Sequence, residues 1–244
     1  MRNQAAKQAP ERDAARDVVR LGAREGLYPR ALGVRFVYLP RTLRLLHGQG
    51  GRRIYRGEAQ VERGRGLCSR AFARIAGLPR AHAGPIEVEI DANARGETWT
   101  RRFGKSAMRS CLVERDGLVF ERLGPMRFAF ALDLAGELPD AAASGVMSLG
   151  AAQVTVSSAV MPAQLADEPA GAADGEAGPG ANEPGLSWRL VRVRALGLPL
   201  PSGWFAGVRA REFERDGRYH FEVAAQLPIV GLLVRYRGWL DVEG

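Results

Sequence analysis

The chain has 244 residues, 46% of them hydrophobic, with a formal net charge of +8 and a pI of about 10.3. That length supports one large domain or two small ones with a real core. The basic balance points to an anionic partner, but the arginines are scattered beside acids, as in "REFERDGR" (211–218), which leaves no stripe or motif for reading nucleic acid.

Cys68 and Cys111 have no CxxC spacing, and His47, His82 and His220 are scattered, so free thiols and no structural zinc are expected. The first 26 residues lack the apolar core of a signal peptide. The longest apolar run, "LPIVGLLV" (227–234), falls far short of the ~20 residues that cross a bilayer. A soluble, cytoplasmic chain without a transmembrane segment is expected. Peripheral membrane contact through Arg41, Arg44 and the other bases stays open.

Residues 1–26 read as a polar N-terminal extension of helical character. In the stretch after it, Leu32, Phe36, Leu39, Leu43 and Leu46 recur at helical spacing. Pro29 suits a first helical turn, Pro40 splits the helix in two, and Gly48 caps the second piece beside His47. A half-buried strand follows, with Tyr55, Gly57, Ala59 and Val61 on one face. "GLCSRAFARIAGLP" (66–79) predicts a short helix that buries Leu67, Phe72 and Ile75 and stops at Gly77 and Pro79.

From Gly84 onward the period is two. "PIEVEID", "ETWTRRFG", "MRSCLVERDG", "LVFERLGP" and "MRFAFALDL" read as strands, the last with Met126, Phe128, Phe130, Leu132 and Leu134 on one side. Asp116-Gly117 and Asp216-Gly217 carry the signature of two-residue type I′ hairpins, which makes their strands antiparallel. "AAQVTVSSAV" (151–160) is a further strand candidate. Residues 163–185 are Ala, Gly, Pro and acid with little to bury, which predicts a disordered acidic insertion. The β pattern resumes at 186, breaks for a helical turn at 202–206, and closes with a hairpin and a final strand. In that hairpin Tyr219, Phe221, Val223, Ala225 and Leu227 share a face.

"LYPRALG…LPRTLRLLHG", "GEAQVERGRGL…IAGLP", "WTRRFG", "LVFERLGPMRFAF", "LGLPLP" and "LPIVGLLVRYRGWL" occur in this order over 27–134 and 188–242. As a set they resemble a bacterial family, domain of unknown function 4166. The resemblance implies a stand-alone module or a C-terminal partner of NAD(P)-dependent reductase-like domains, with no established activity. The acidic insertion departs from the family, whose members have a shorter hairpin connection there.

No chemistry-bearing motif stands out. There is no GxGxxG after a strand, no GxxxxGK[ST], no GxSxG elbow and no HExxH, so no catalytic residue, cofactor or metal site is assigned. Glu87 with Glu89, and Glu212 with Glu214, sit at alternating positions and read as solvated edges or salt-bridge ladders. The remaining signal is arginine between aromatics. Trp99, Arg101 and Phe103 share one face of a strand, and Arg235, Arg237 and Trp239 share one face of the last strand. Such a cation in a curved sheet can hold a carboxylate or phosphate while the rings hold an apolar tail. The other reading is a surface cation–π ladder, which holds if Arg102, not Arg101, points inward.

The fold class expected is α+β and mostly antiparallel: a bent sheet closing into a barrel or half-barrel, lipocalin-like or helix-grip-like, with two or three short N-terminal helices. A single domain spans 27–244, interrupted by the insertion. The ligand-binding candidates are Trp99, Arg101, Phe103, Arg235, Arg237, Trp239 and His47. They point to a non-enzymatic binding module for a hydrophobic or amphipathic acidic small molecule. The alternatives are an enzyme or accessory domain working with a reductase-like partner, which needs His47, Glu212 or His220 to converge, and a peripheral membrane or scaffold protein.

Overall fold

The computed structural model describes residues 26–136 and 183–243. The polar extension, the strand candidate at 151–160 and nearly all of the acidic insertion lie outside them. Alternation of apolar and polar side chains builds β1 (Gly51–Arg63), β2 (His82–Asn93), β3 (Gly96–Phe103), β4 (Ser106–Arg115), β5 (Leu118–Leu123) and β6 (Met126–Ala135). After the insertion come β7 (Gly185–Ala195), β8 (Leu198–Leu200), β9 (Gly207–Arg215), β10 (Arg218–Leu227) and β11 (Gly231–Asp241). Asp116-Gly117 and Asp216-Gly217 all adopt positive φ, as the two-residue hairpins they form require.

All eleven strands pair antiparallel in the order β6-β5-β4-β3-β2-β1-β11-β10-β9-β7-β8, and β6 also pairs with β7. That last ladder closes ten strands into an antiparallel barrel, so the α+β barrel read from the sequence is the fold. Short β8 stays outside the ring, paired with the second half of β7. Closure removes the exposed edges that an open sheet must protect.

The barrel has two unlike ends. One end receives the start of the chain: α1 (Leu27–Leu32), a 3₁₀ turn (Gly33–Tyr38) and α2 (Arg41–His47). Pro29 falls in the first turn of α1, and Pro40 caps the start of α2, where a missing N–H costs nothing. Leu27, Tyr28, Leu43, Leu46 and His47 are fully buried, so these helices form a plug rather than a flank. At the other end the β1–β2 connection carries α3 (Leu67–Ile75). Here the sequence reading is corrected. α3 buries Ser69 and Ala73, while Leu67, Phe72 and Ile75 face outward. The Ser69 hydroxyl donates to the carbonyl of Leu232 at 2.5 Å, which sets the small-residue face of α3 against the wall.

Where β1 meets β11, Gly57 lies opposite Leu240 and Ala59 opposite Gly238. A Cβ on Gly238 would run into the carbonyl oxygen of Glu58 and come within 2.7 Å of the Phe221 ring. The seam is therefore as tight as backbone allows. Gly238→Ala should cost about 2 kcal/mol by overpacking, lowering Tm by ~5 °C. Gly203→Ala, where a methyl would meet open space, should leave Tm unchanged in the same calorimetric comparison.

Candidate functional site

The inward face of the wall carries polar groups at its centre. β3 turns Glu97, Trp99, Arg101 and Phe103 inward, opposite Leu112, Ser110, Met108 and Ser106 of β4. This decides the strand register in favour of Arg101. Its Nη1 donates to the Ser110 hydroxyl at 3.2 Å, and its guanidinium lies 4.8 Å from the Trp99 ring centre. Burial opposes the charge on Arg101, but Tyr236, Glu121, Tyr28 and Tyr219 outweigh it and raise the pKa overall. Arg102 points out and bridges Glu87 at 3.1 Å and Glu89 at 2.9 Å. That ladder is the role expected of the first carboxylate pair, and the Arg102 hydrogen bond holds Glu89 below its ordinary range.

The second pair is not solvated. Glu212 and Glu214 face the interior, because the Asp216-Gly217 hairpin sets them opposite Phe221 and Tyr219. His47 of the plug donates from Nε2 to Glu212 Oε2 at 2.6 Å, and Trp188 donates from Nε1 to Glu212 Oε1 at 3.1 Å. Glu214 accepts the backbone N–H of Thr42 at 2.8 Å. Tyr28 stacks on His47 with ring centres 3.6 Å apart. Two of the three proposed converging groups, His47 and Glu212, thus meet inside the barrel. His220 is on the outer face, stacked on Phe213. Among the described residues no group of three or more His, Cys, Asp or Glu is placed to hold a metal ion.

Two cavities adjoin this cluster. A cavity of about 40 Å³ is lined by Arg101, Glu212, Tyr219 and Tyr236, among others, and has room for about one water. The larger space arises from the wall itself. β7 pairs with β9 only from Gly185 to Trp188, then leaves it and pairs with β8. The seam between them opens a cleft of about 1310 Å³. Its lining includes Arg189, Arg209, Arg211, Arg235 and Arg237 against Asp133 and Glu222, with Trp188, Phe205, Val208 and Tyr236 as its apolar part. Tyr236 and Arg211 border both spaces. Arg211 donates from Nη2 to the carbonyl of Glu183, and its buried Nε has no partner among the described residues.

The sequence candidates therefore divide. Trp99, Arg101, Phe103 and His47 come together inside the barrel. Arg235 and Arg237 line the cleft from the outer face of β11, where they also reach Glu62 at 3.6 Å and the Gln60 side chain at 3.1 Å. Trp239 joins neither group, being covered by the Arg218 guanidinium at 4.2 Å. Sequence reasoning missed Tyr28, Trp188 and Arg211. The inward direction of Glu212 was readable from the hairpin register, which pairs it with the apolar face of β10.

Two predictions follow from the buried cluster. Glu212→Gln leaves an amide where the carboxylate took two donors, so it should lose about 1–3 kcal/mol in denaturant unfolding. Burial, with Glu212 close by, pushes the phenols of Tyr28 and Tyr219 well above their usual value, and burial raises Tyr236 to about 12. Above pH 10 the unfolded chain loses these protons first, so stability should fall as pH rises from 10 toward 12. In an absorbance titration at alkaline pH, these three phenols should ionise only together with loss of circular dichroism. Reversible ionisation of all five tyrosines in the folded state would contradict the burial.

No curated protein and no solved structure matches the chain. A family described as Domain of unknown function (DUF4166) matches residues 39–169 and 179–240. The match covers well over half of the chain, and the chain belongs to that family.

Proposed function

We propose that the protein is a binding module for a small amphipathic molecule with an acidic head, held in the cleft between β7 and β9. The observation that carries this reading is the cleft lining: five arginines and two acids beside a mostly apolar wall. Arginine presents paired N–H donors to a carboxylate or phosphate, and the aromatic wall accepts the tail. Arg211, with an unpartnered buried Nε, is the first head contact, and Arg237 the second. Arg101 sits behind Tyr236, in a space too small for a ligand, and adds positive potential from inside. The cleft volume exceeds that of most drug-sized pockets, which suits a long tail.

A proton-transfer enzyme is the second reading, favoured by the His47–Glu212 contact at 2.6 Å. A general base must reach its substrate. His47 is wholly enclosed and both Glu212 oxygens are already engaged, so the pair serves better as the pin that fixes the plug.

A dansyl-labelled undecanoic acid, titrated against the full chain, should bind saturably with micromolar affinity and quench Trp188. Arg211→Ala should weaken binding at least ten-fold, the size of one charge-assisted contact. The methyl ester of the probe should bind about as weakly as the acid binds that variant. Equal affinity for acid and ester would sink the reading.

A further inference from the structure

Antiparallel topology places five connections at the end of the barrel opposite the plug: the α3 connection, the β3–β4, β5–β6 and β10–β11 turns, and the chain from β7 through β8 to β9. All but the β3–β4 turn touch one another around the rim. Ser69 of α3 bonds the β11 start at Leu232, and the Leu196 N–H donates to the carbonyl of Pro125 at 3.1 Å. Gly124 lies against the carbonyls of Ile75 and Ala76.

This rim collects large apolar side chains that the fold leaves uncovered. Leu67, Phe72 and Ile75 project from α3, Leu196 from the β7–β8 turn, Trp204 from the turn before β9 and Ile229 from the β10–β11 turn. Leu67 is 80% exposed and Ile229 fully so. On α3 the choice is unusual, since the helix buries serine and alanine and offers its leucine, phenylalanine and isoleucine to the outside. A globular helix ordinarily does the reverse.

Unpaired positive charge gathers at the same rim. Residues 64–80 hold four arginines, 104–105 one lysine, 122–127 two arginines and 192–209 three, all exposed, and none of these segments contains an acid. Residues 226–232 carry no charge. Among the described residues none of these ten bases forms an ion pair, whereas Arg102, Arg52 and Arg56 on the wall are paired. The plug end also exposes Val34, Val37 and Tyr38 of its 3₁₀ turn, but bases there meet acids: Arg30 pairs with Glu114, Arg41 with Glu243 and Arg52 with Glu89, and the two signs alternate in Glu114-Arg115-Asp116 and Glu214-Arg215-Asp216. Spread along the sequence, the bases look like unspecific basicity; the barrel gathers ten of them around one mouth.

We infer that this rim docks on an anionic lipid bilayer, with the exposed apolar tips entering the headgroup region and the ten bases meeting the lipid phosphates. Separate tips on three of the five connections make a poor groove for a protein segment but suit a broad, soft surface. A tryptophan among them matches the preference of that ring for the membrane interface. A nucleic acid would use the bases and leave Ile229 and Leu67 without purpose. The Ser202–Phe205 turn carries Trp204 on the rim and Phe205 in the cleft lining, so docking also brings the cleft toward the lipid. The docking stands whether or not the cleft binds an amphipathic acid.

The test is vesicle sedimentation with the full chain. Phosphatidylcholine vesicles with about 30 mol% phosphatidylglycerol should bind it and pure phosphatidylcholine should not, with binding lost in about 0.5 M NaCl. The double variant Arg70→Glu/Arg74→Glu should weaken partitioning more than ten-fold, at roughly five-fold for each base removed. Ile229→Ser with Trp204→Ser should weaken it at least five-fold, and brominated lipid should quench the wild-type chain more than Trp204→Phe. Arg41→Glu/Arg44→Glu at the plug end is the control and should bind as the wild type does. Each altered side chain is exposed, and an unchanged Tm confirms folding. The inference is overturned by equal binding to both vesicle types, by the control losing as much as the rim variant, or by indifference to the apolar tips. That last result, with tight binding to duplex DNA, would identify a nucleic-acid surface instead. Because the probe is the vesicle alone, failure here leaves the dansyl-acid titration untouched.

Discussion

Closing ten strands into a barrel leaves more interior than the wall can fill, and the remaining structure answers that constraint. About eight strands enclose a space that their own side chains just occupy; each further strand widens it. Large inward residues such as Trp99, Phe103, Tyr219 and Tyr236 take up part of the excess. The rest is filled by α1 and α2, which bring Leu27, Tyr28, Leu43, Leu46 and His47 in from one end. The cavity beside Arg101 is about 40 Å³, so among the described residues this part of the interior is a packed core that contains charge.

Filling a barrel with a separate plug raises a problem of specificity, since apolar contact alone would let two short helices slide or rotate. Glu212 and Glu214 resolve it. One accepts from the His47 ring and the other from the Thr42 backbone, at the two ends of α2, so both position and rotation are set. Glu212 also takes the Trp188 indole from β7, and so ties the plug, β9 and β7 to one carboxylate. This joint lies where β7 and β9 still pair, just before the seam opens. The pin therefore stabilises the rim of the cleft, and the two cannot be altered independently.

Much of the wall was legible from period two and from two Asp-Gly turns, because a strand buried on one face writes its direction into alternate residues. Trp99, Arg101 and Phe103 were identified as a unit, although their direction depended on a register that only pairing with β2 and β4 settles. A closing sheet was expected, but which strands close it was not legible, since the β6–β7 ladder joins strands separated by the acidic insertion. Nor was the cleft, which arises from β7 changing partners partway along its length. The α3 error has a different cause. Periodicity shows that a helix has an apolar face but cannot show that the neighbouring wall at Gly64 and Leu232 is too close for anything larger than serine and alanine.

The same reversal explains how the two ends of one barrel come to differ. At the plug end, the apolar side chains Leu27, Tyr28, Leu32, Leu43 and Leu46 of α1 and α2 turn inward because wide interior space is available to them. At the far end the wall residues Val61, Val234 and Met108 are already buried, and α3 meets a filled surface. A helix laid over such a surface gains most by approaching closely with small residues, and its large ones are left outside. Their exposure costs stability unless another apolar phase receives them. An antiparallel barrel with an even number of strands sends every second connection to the same end, so a local bias in those connections accumulates into one face. Ten bases and six large apolar groups, modest in any one turn, become a polarised surface through topology alone.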